Sequence, residues 1–353
     1  KTEQRGGTVE DRVAVWKAGK ATSEYTHRET KTEDEMLNDL INDKLLFEDE
    51  IDRENKKITI GSKEIDYSTG KGLEPGSDKE KEELILEYEV SAGDTIELPH
   101  YFYSEGTETI EFNFQVDWGD GTTETGITNS NISEKSKHQY QNAGTYDIKI
   151  KGKYESLQCP SSSEDAENYD KLKKIKQWGT TGLKSVALFY CSNLNEIASP
   201  TKNSFINLID IYLGDTSIQS IPEDLFANCP NVTSFAGTFN YCSKLTSIPE
   251  NLFANCSNVT SFYGTFEYCS NLTSIPEKLF DNCENVENFW ATFYGCYNLT
   301  GNAPELWKRG TNSVGNEYNG NPNGQACFKE CRNLKNYNEI PEYWKTGNDG
   351  SPS

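Results

Sequence analysis

The sequence predicts a mainly β chain with short helices, in which a small β-sandwich is preceded by a small α+β module and followed by a solenoid of repeats. Three observations predict this order: an acidic N-terminal stretch with one helical pattern, alternating apolar and polar runs in the middle, and 27-residue self-similarity after them. The predicted divisions are an acidic N-terminal module at 1–80, which is α+β or partly flexible, a sandwich at 81–155, a linker and solenoid cap at 156–174, a solenoid at 175–345 and a flexible tail at 346–353.

The N-terminal module carries the weakest pattern. Within 33–51, apolar residues recur at helical spacing with acidic residues between them, and Thr32 followed by Glu35 has the form of a capping box. The runs KKITI and EIDY that come next predict a β-hairpin. The role of this module does not follow from its sequence.

The middle segment alternates with the period of strands. The runs ELILEYEV, DTIELP, TIEFNFQVDW and TYDIKIKG are each bounded by Gly, Asp or Ser, which predicts a small β-sandwich that folds on its own. Asp120-Gly121, within the sequence WGDG, favours a two-residue type I′ hairpin turn.

The last half of the chain repeats itself. Units starting at Asn231, Asn258 and Asn285 are nearly copies, and LKSVALFYCSNLNEI from Leu183 has the L-x-x-L-x-L-x-x-C spacing of leucine-rich repeats. One unit cannot close a core, whereas stacked copies bury their recurring apolar residues as columns, so a solenoid is predicted. Ile-Pro pairs predict a turn into a short helical or 3-10 segment, and the polar stretch at 308–326 interrupts the pattern as a loop before it resumes.

Composition excludes several classes of function. The chain has 353 residues and a formal net charge of -22, which disfavours nucleic acid as a partner. It contains no apolar run long enough to span a membrane and begins at Lys1 without a signal peptide. Its three histidines lie far apart in sequence and no carboxylate pair or nucleophile stands out, so we expect a binding protein rather than an enzyme, without a cofactor.

Two sets of motifs resemble known families. WGDGTTE from Trp118, followed by HQYQNAGTYDIKIKG from His138, resembles the PKD-type immunoglobulin-like domain, and units such as NVTSFYGTFEYCSNLTSIP resemble the BspA-type leucine-rich repeats of bacterial surface proteins. The resemblance implies a secreted or surface-anchored protein of a Bacteroides-like bacterium, including a lipid-anchored outer-membrane form. It also implies adhesion to, or binding of, a host or bacterial surface protein or glycan. The alternative is a structural or assembly scaffold with no ligand of its own.

Cysteines and carboxylates supply the candidate metal and redox groups. Eight of the ten cysteines fall on repeat positions that suit a small buried residue, whereas Cys159 and Cys327 lie off these positions and are expected to be exposed or paired. Disulfides between neighbouring units stay open as an alternative. Asp117 and Asp120 are weak calcium candidates, because turn residues of this kind more often accept bonds from their own backbone.

The outward positions of the repeats are the candidate ligand-binding surface. Aligning the units places Ala236, Tyr263 and Trp290 in one column, which Tyr212 continues, next to an inward phenylalanine in each unit. A second column holds Asn240, Glu267 and Tyr294. A row of large aromatic residues facing outward indicates docking, although covering the loop at 308–326 or packing on a neighbour would explain it equally well. The sequence identifies neither the ligand nor the oligomeric state.

Overall fold

A computed structural model describes residues 51–52, 57–60, 63–66, 82–101, 109–159, 169–188, 191–201, 203–309 and 322–347. The chain divides into two compact units, Lys1–Glu80 and Lys81–Ser353. The capping box and all but the last residue of the helix expected at 33–51 lie outside the described residues. The last residue, Ile51, belongs to a strand at Ile51–Asp52.

The first unit contains a three-stranded antiparallel sheet. Its strands are β1 (Ile51–Asp52), β2 (Lys57–Ile60) and β3 (Lys63–Asp66), in the order β1-β2-β3. The β2 and β3 strands pair with Ile58 opposite Ile65, which confirms the predicted hairpin.

The second unit begins with a six-stranded sheet. Its strands are β4 (Leu84–Val90), β6 (Phe112–Asp117), β7 (Thr123–Thr128), β9 (Gly144–Tyr154), β11 (Leu172–Gln177) and β13 (Glu196–Ile197), in the spatial order β13-β11-β4-β9-β6-β7. A separate two-stranded sheet pairs β5 (Thr95–Glu97) with β8 (Lys137–Gln139), and a short helix α1 (Ile132–Lys135) precedes β8. All four strand runs expected between 83 and 152 are present.

The turn between β6 and β7 differs from the expected type I′ turn. Positive φ angles fall on Gly119 (81°) and Gly121 (93°), on either side of Asp120, and the Trp118 N–H donates to the Thr122 carbonyl. A type I′ turn would require a positive φ at Asp120 itself. The two glycines supply the left-handed positions without that strain.

Strands on both sides of residue 170 link the six-stranded sheet to the repeats. The strand β10 (Ser156–Gln158) directly follows β9, yet it pairs in parallel with β12 (Ser185–Ala187), which pairs with β14 (Asp210–Tyr212). The strand β11, which comes after β10 in the chain, pairs with β4 of the six-stranded sheet. Two strands therefore overlap the range expected to be a linker, and the buried side chains from Leu84 to Trp344 form one connected core.

The repeats after β14 contain bridges and turns instead of long strands. Single parallel bridges join Ser234 to Ser261, Ser261 to Asn288 and Asn288 to Asn323. The segments after the first three Ile-Pro pairs are hydrogen-bonded turns, such as the Leu225 N–H to the Pro222 carbonyl, and not the expected helical or 3-10 segments. Only the last pair, Ile340-Pro341, is followed by a helix, at Glu342–Thr346, as expected. A 27-residue unit that changes direction this often leaves little room for regular elements.

The pattern resumes at the C-terminal end, as the sequence predicts. The Phe328 ring stacks on Phe293 with centroids 5.8 Å apart, and Cys331, Leu334 and Ile340 are buried. One short 3-10 helix, Leu306–Lys308, precedes this part and another, Tyr337–Glu339, lies within it. The helix α2 (Glu342–Thr346) buries Trp344 against it. Residues 310–321 of the expected loop and 348–353 of the expected tail lie outside the described residues.

The structure as described contains few helices and therefore matches the expected mainly β class. None of the helices in the described ranges is long and apolar enough to cross a membrane.

Candidate functional site

Adjacent residues of each repeat point in opposite directions. Phe289 is fully buried, whereas Trp290, one residue later, is 41% exposed. The preceding unit has the same arrangement, with Phe262 buried and Tyr263 41% exposed. The structure therefore has the alternation that the sequence predicts for the first column.

The rings of the first column contact each other across units. The Tyr263 and Trp290 rings have centroids 5.1 Å apart with an angle of 53° between their planes. Tyr212 is half-buried in β14, and a Cβ built on Gly237 would lie 2.9 Å from its ring. Its hydroxyl donates to Asn240 Oδ1 at 2.7 Å, so the ring lies beside Gly237 and contacts the second column at Asn240.

The second column is half-buried along its length. Asn240, Glu267 and Tyr294 each have intermediate exposure, and Lys329 occupies the equivalent position in the last unit. The Lys329 ammonium lies 4.8 Å from the centroid of the Tyr294 ring. Burial raises the pKa of the Glu267 carboxyl.

A further row of tyrosines lies beside these columns. Tyr241 is 49% exposed and stacks on Tyr268 at 4.9 Å, and the Tyr268 ring lies 4.9 Å from Tyr294. Tyr297, 44% exposed, lies 6.4 Å from Tyr268. A Cβ on Gly295 would come within 2.4 Å of the Tyr268 ring, so the absence of a side chain at Gly295 makes room for that ring.

Strand periodicity alone could not find this row. Tyr241 and Tyr268 have φ angles of 57° and 56°, in the left-handed region that non-glycine residues rarely adopt. A left-handed residue reverses the alternation, so a side chain that the period of two would place inside turns outward. The available signal was the recurrence of tyrosine directly before Cys242 and Cys269.

Together these side chains form one surface, which we call the aromatic face. It consists of the two columns and the tyrosine row, namely Tyr212, Tyr241, Tyr263, Glu267, Tyr268, Trp290, Tyr294 and Tyr297. A contiguous exposed aromatic surface is uncommon on a protein that has no partner.

Hydrogen bonds between units hold the aromatic face in position. The buried Thr265 hydroxyl donates to the Phe235 carbonyl at 2.8 Å, and Thr292 donates to Phe262 at 2.9 Å. The Cys269 thiol in the same way lies 3.0 Å from the Phe239 carbonyl of the preceding unit. Each unit therefore binds the backbone of the one before it through side chains directly beneath the outward residues.

All ten cysteines are buried, and none of them forms a disulfide. The expectation that Cys159 and Cys327 are exposed is wrong, because both have no exposed surface. Cys159 follows β10 at the start of the stack, where its Sγ lies 3.4 Å from the Cys191 Sγ. Burial raises the pKa of the Cys242 thiol to about 11, because desolvation outweighs the hydrogen bonds of Thr216.

The carboxylates of the WGDG turn are engaged within the protein. Asp117 Oδ1 accepts the Gly119 N–H at 2.9 Å. Asp120 accepts the Thr122 N–H and hydroxyl, and its other oxygen lies 2.8 Å from His138 Nε2. Desolvation raises the pKa of Asp120, but these hydrogen bonds outweigh it and lower the pKa to about 2. Both aspartates therefore act as turn acceptors here, and within the described ranges no group of three or more His, Cys, Asp or Glu side chains could hold a metal ion.

One cleft, with a volume of about 680 Å³, lies away from the aromatic face. Its lining includes Asn258, Glu284 and Arg309. The Arg309 guanidinium donates to the Cys283 and Phe280 carbonyls, so its hydrogen bonds stabilise the backbone of the repeats.

Comparison with known families agrees with the repeat geometry. Residues 168–287 match, in six copies, the family described as BspA type leucine rich repeat region. This part of the chain is similar to BspA-type leucine-rich repeats. No curated protein is similar enough to the chain to count as a match.

Proposed function

We propose that the chain is a secreted or cell-surface protein that binds a protein or glycan of a host or bacterial surface through the aromatic face. One observation carries the proposal: Tyr263 and Trp290 are exposed and in contact, at a position that the preceding unit fills with Ala236. Because the scaffold folds around alanine there, it does not need bulk at this position. Exposed aromatic residues without a structural task are typical of binding hot spots.

The rest of the proposal concerns architecture. The BspA-type repeats would form a solenoid that presents the aromatic face, and the six-stranded sheet with the β5–β8 pair would form a PKD-like sandwich that acts as a spacer. The order of motifs around Trp118 and His138 supports the PKD likeness. We propose binding without catalysis, because the aromatic face presents rings and one carboxylate and lacks a nucleophile beside a base.

A binding screen tests the proposal. The whole chain, immobilised and exposed to matrix proteins and to glycans, should give saturable binding to at least one of them. The whole chain is needed because β11 at Leu172–Gln177 belongs to both parts of the fold. Trp290→Ala should weaken that binding by about 2 kcal/mol, as expected of an aromatic hot spot.

A matched variant controls for loss of exposed apolar surface. Ile206 is 45% exposed, lies on a turn that precedes β14, and is not one of the residues of the aromatic face. Ile206→Ala should therefore leave binding unchanged. Equal losses in the two variants would contradict the proposal. Absence of any saturable binding would favour the alternative, a surface scaffold without a ligand of its own.

A further inference from the structure

The aromatic face contains a carboxylate without a counter-ion. Glu267 is half-buried, and within the described residues its side chain has neither a hydrogen-bond nor an ion-pair partner. Its Oε2 lies against the backbone of its own unit, 3.2 Å from where a Cβ on Gly264 would be. A partly desolvated carboxylate of this kind is stabilised when a cation approaches it.

Aromatic residues occupy the positions next to this carboxylate in the chain and in the neighbouring column. Tyr263 and Trp290 belong to the first column on one side of Glu267, and Tyr268 follows it directly in the chain. The pKa of Tyr241 is raised by burial first and next by the charge of Glu267, so the carboxylate also acts on this side of the face. The faces of tyrosine and tryptophan rings attract cations through their quadrupoles.

The protein already places one of its own cations on this surface. The Lys329 ammonium lies over the Tyr294 ring at 4.8 Å, in the same column as Glu267 and one unit beyond Tyr294. The column thus shows an occupied cation–π contact at one end. Glu267, one unit before Tyr294, offers a ring environment together with a negative charge and has no such cation in the described part of the chain.

The tilt of the rings favours a narrow side chain over a sugar. The Tyr263 and Trp290 planes meet at 53°, and the Tyr268 and Tyr294 planes at 46°. A pyranose ring stacks best on a flat, open aromatic platform, whereas inclined rings form a notch. The stem and charged head of a lysine or arginine fit a notch of this kind.

We propose, building on the proposed function, that the aromatic face recognises a lysine or arginine side chain of a partner protein. The Glu267 carboxylate supplies the counter-charge, and the rings of Tyr263, Trp290 and Tyr268 form the walls. The ligand of the face is then a protein segment rich in basic residues.

Titration calorimetry with a defined probe tests this. The probe is a peptide of alternating glycine and lysine, and the same peptide with acetylated lysines removes the charge. Because the chain carries a net charge of -22, basic peptides will also associate with it nonspecifically. We therefore compare two variants that each lose one charge, Glu267→Gln on the aromatic face and Glu277→Gln on an exposed Ile-Pro turn.

The expected result is a loss of about tenfold in affinity for the lysine peptide with Glu267→Gln, and less than about twofold with Glu277→Gln. The acetylated peptide should bind neither the wild type nor the variants. The lysine peptide should also shift the tryptophan fluorescence of the wild type, and Trp290→Ala should remove most of that shift.

Three outcomes would overturn the inference. Equal losses in the two glutamine variants, with a fluorescence response that Trp290→Ala leaves intact, would show general electrostatic attraction. Equal binding of the acetylated and lysine peptides would show that charge is not recognised. Binding of a neutral oligosaccharide that Trp290→Ala weakens and Glu267→Gln leaves intact would also overturn it, while retaining the aromatic face as the binding site of the proposed function.

Discussion

The six-stranded sheet and the repeats bury similar side chains but join their backbones differently. In the sheet, β4 and β9 pair over seven consecutive residues, from Leu84 opposite Ile150 to Val90 opposite Gly144. In the repeats after β14, neighbouring units share one bridge, such as Ser234 with Ser261, and separate main-chain hydrogen bonds, such as that from the Phe235 N–H to the Ser261 carbonyl. The sheet is thus held by continuous ladders, and these repeats by separate main-chain bonds together with side-chain stacking.

Side chains in the repeats stack on copies of themselves. The rings of Phe239, Phe266 and Phe293 lie in one column with centroids 5.6 and 5.5 Å apart and nearly parallel planes. The threonine and cysteine side chains next to them bond to carbonyls of the preceding unit. This explains why a structure with so few strands keeps a regular spacing, and why its outward residues are free to vary between Ala236 and Trp290.

The largest effect is expected from separating the two regions. A fragment of residues 81–155 would lack β11, so β4 would become an edge strand, and it would end before β10, the strand that pairs with β12 of the repeats. Although the sequence predicts independent folding of this segment, the structure leads us to expect no cooperative thermal transition in near-UV circular dichroism. A sharp transition like that of residues 81–353 would show that the sheet does not need the repeats.

The next largest effect is expected in the stacked core. Phe289→Ala removes a fully buried ring between Phe262 and Phe280, with centroids 5.8 and 5.1 Å away, and should lower the free energy of unfolding by about 3 to 5 kcal/mol. Trp290→Ala, at an exposed position, should change it by less than about 0.5 kcal/mol. Chemical denaturation of both variants measures the difference. A larger loss of unfolding free energy with Trp290→Ala than with Phe289→Ala would show that the aromatic face belongs to the core.

The alternation of Phe289 and Trp290 could be predicted because a period of two acts wherever a chain is extended. The tyrosine row could not, because the left-handed φ of Tyr241 and Tyr268 depends on packing between units. The sequence does not predict the crossing of β10 and β11 for a related reason, since pairing with strands distant in sequence leaves no local pattern. Repeat spacing predicts that Cys269 is small and buried, but its bond to the Phe239 carbonyl depends on how neighbouring units stack.

A smaller effect is expected from a single bond between units. Thr265→Val keeps the shape of a buried side chain but removes the hydroxyl that donates to the Phe235 carbonyl. That carbonyl also accepts the Thr238 N–H at 3.2 Å, so it keeps one partner and the loss should be about 1 kcal/mol. Thr260→Val is the control, because its exposed hydroxyl can exchange the Thr233 carbonyl for water and the change should be near zero. Equal unfolding free energies for the two variants would mean that the side-chain hydrogen bonds between units contribute little to the stability of the fold.

The smallest effect is expected in the sheet region, at the carboxylate of Asp120, because this residue is exposed and solvent screens its charge. Its pKa of about 2 lies below the value of about 3.9 typical of an unfolded aspartate, so its ionised form stabilises the folded state above pH 4. That contribution is lost as the pH falls from about 4 to about 2. Asp120→Asn lacks it at every pH, so the melting temperatures of wild type and variant should differ at pH 5 and converge towards pH 2. Other carboxylates titrate in both proteins and cancel in the difference. A difference that stays constant over this range would show that the contribution of Asp120 and its hydrogen bonds with Thr122 and His138 does not depend on its charge.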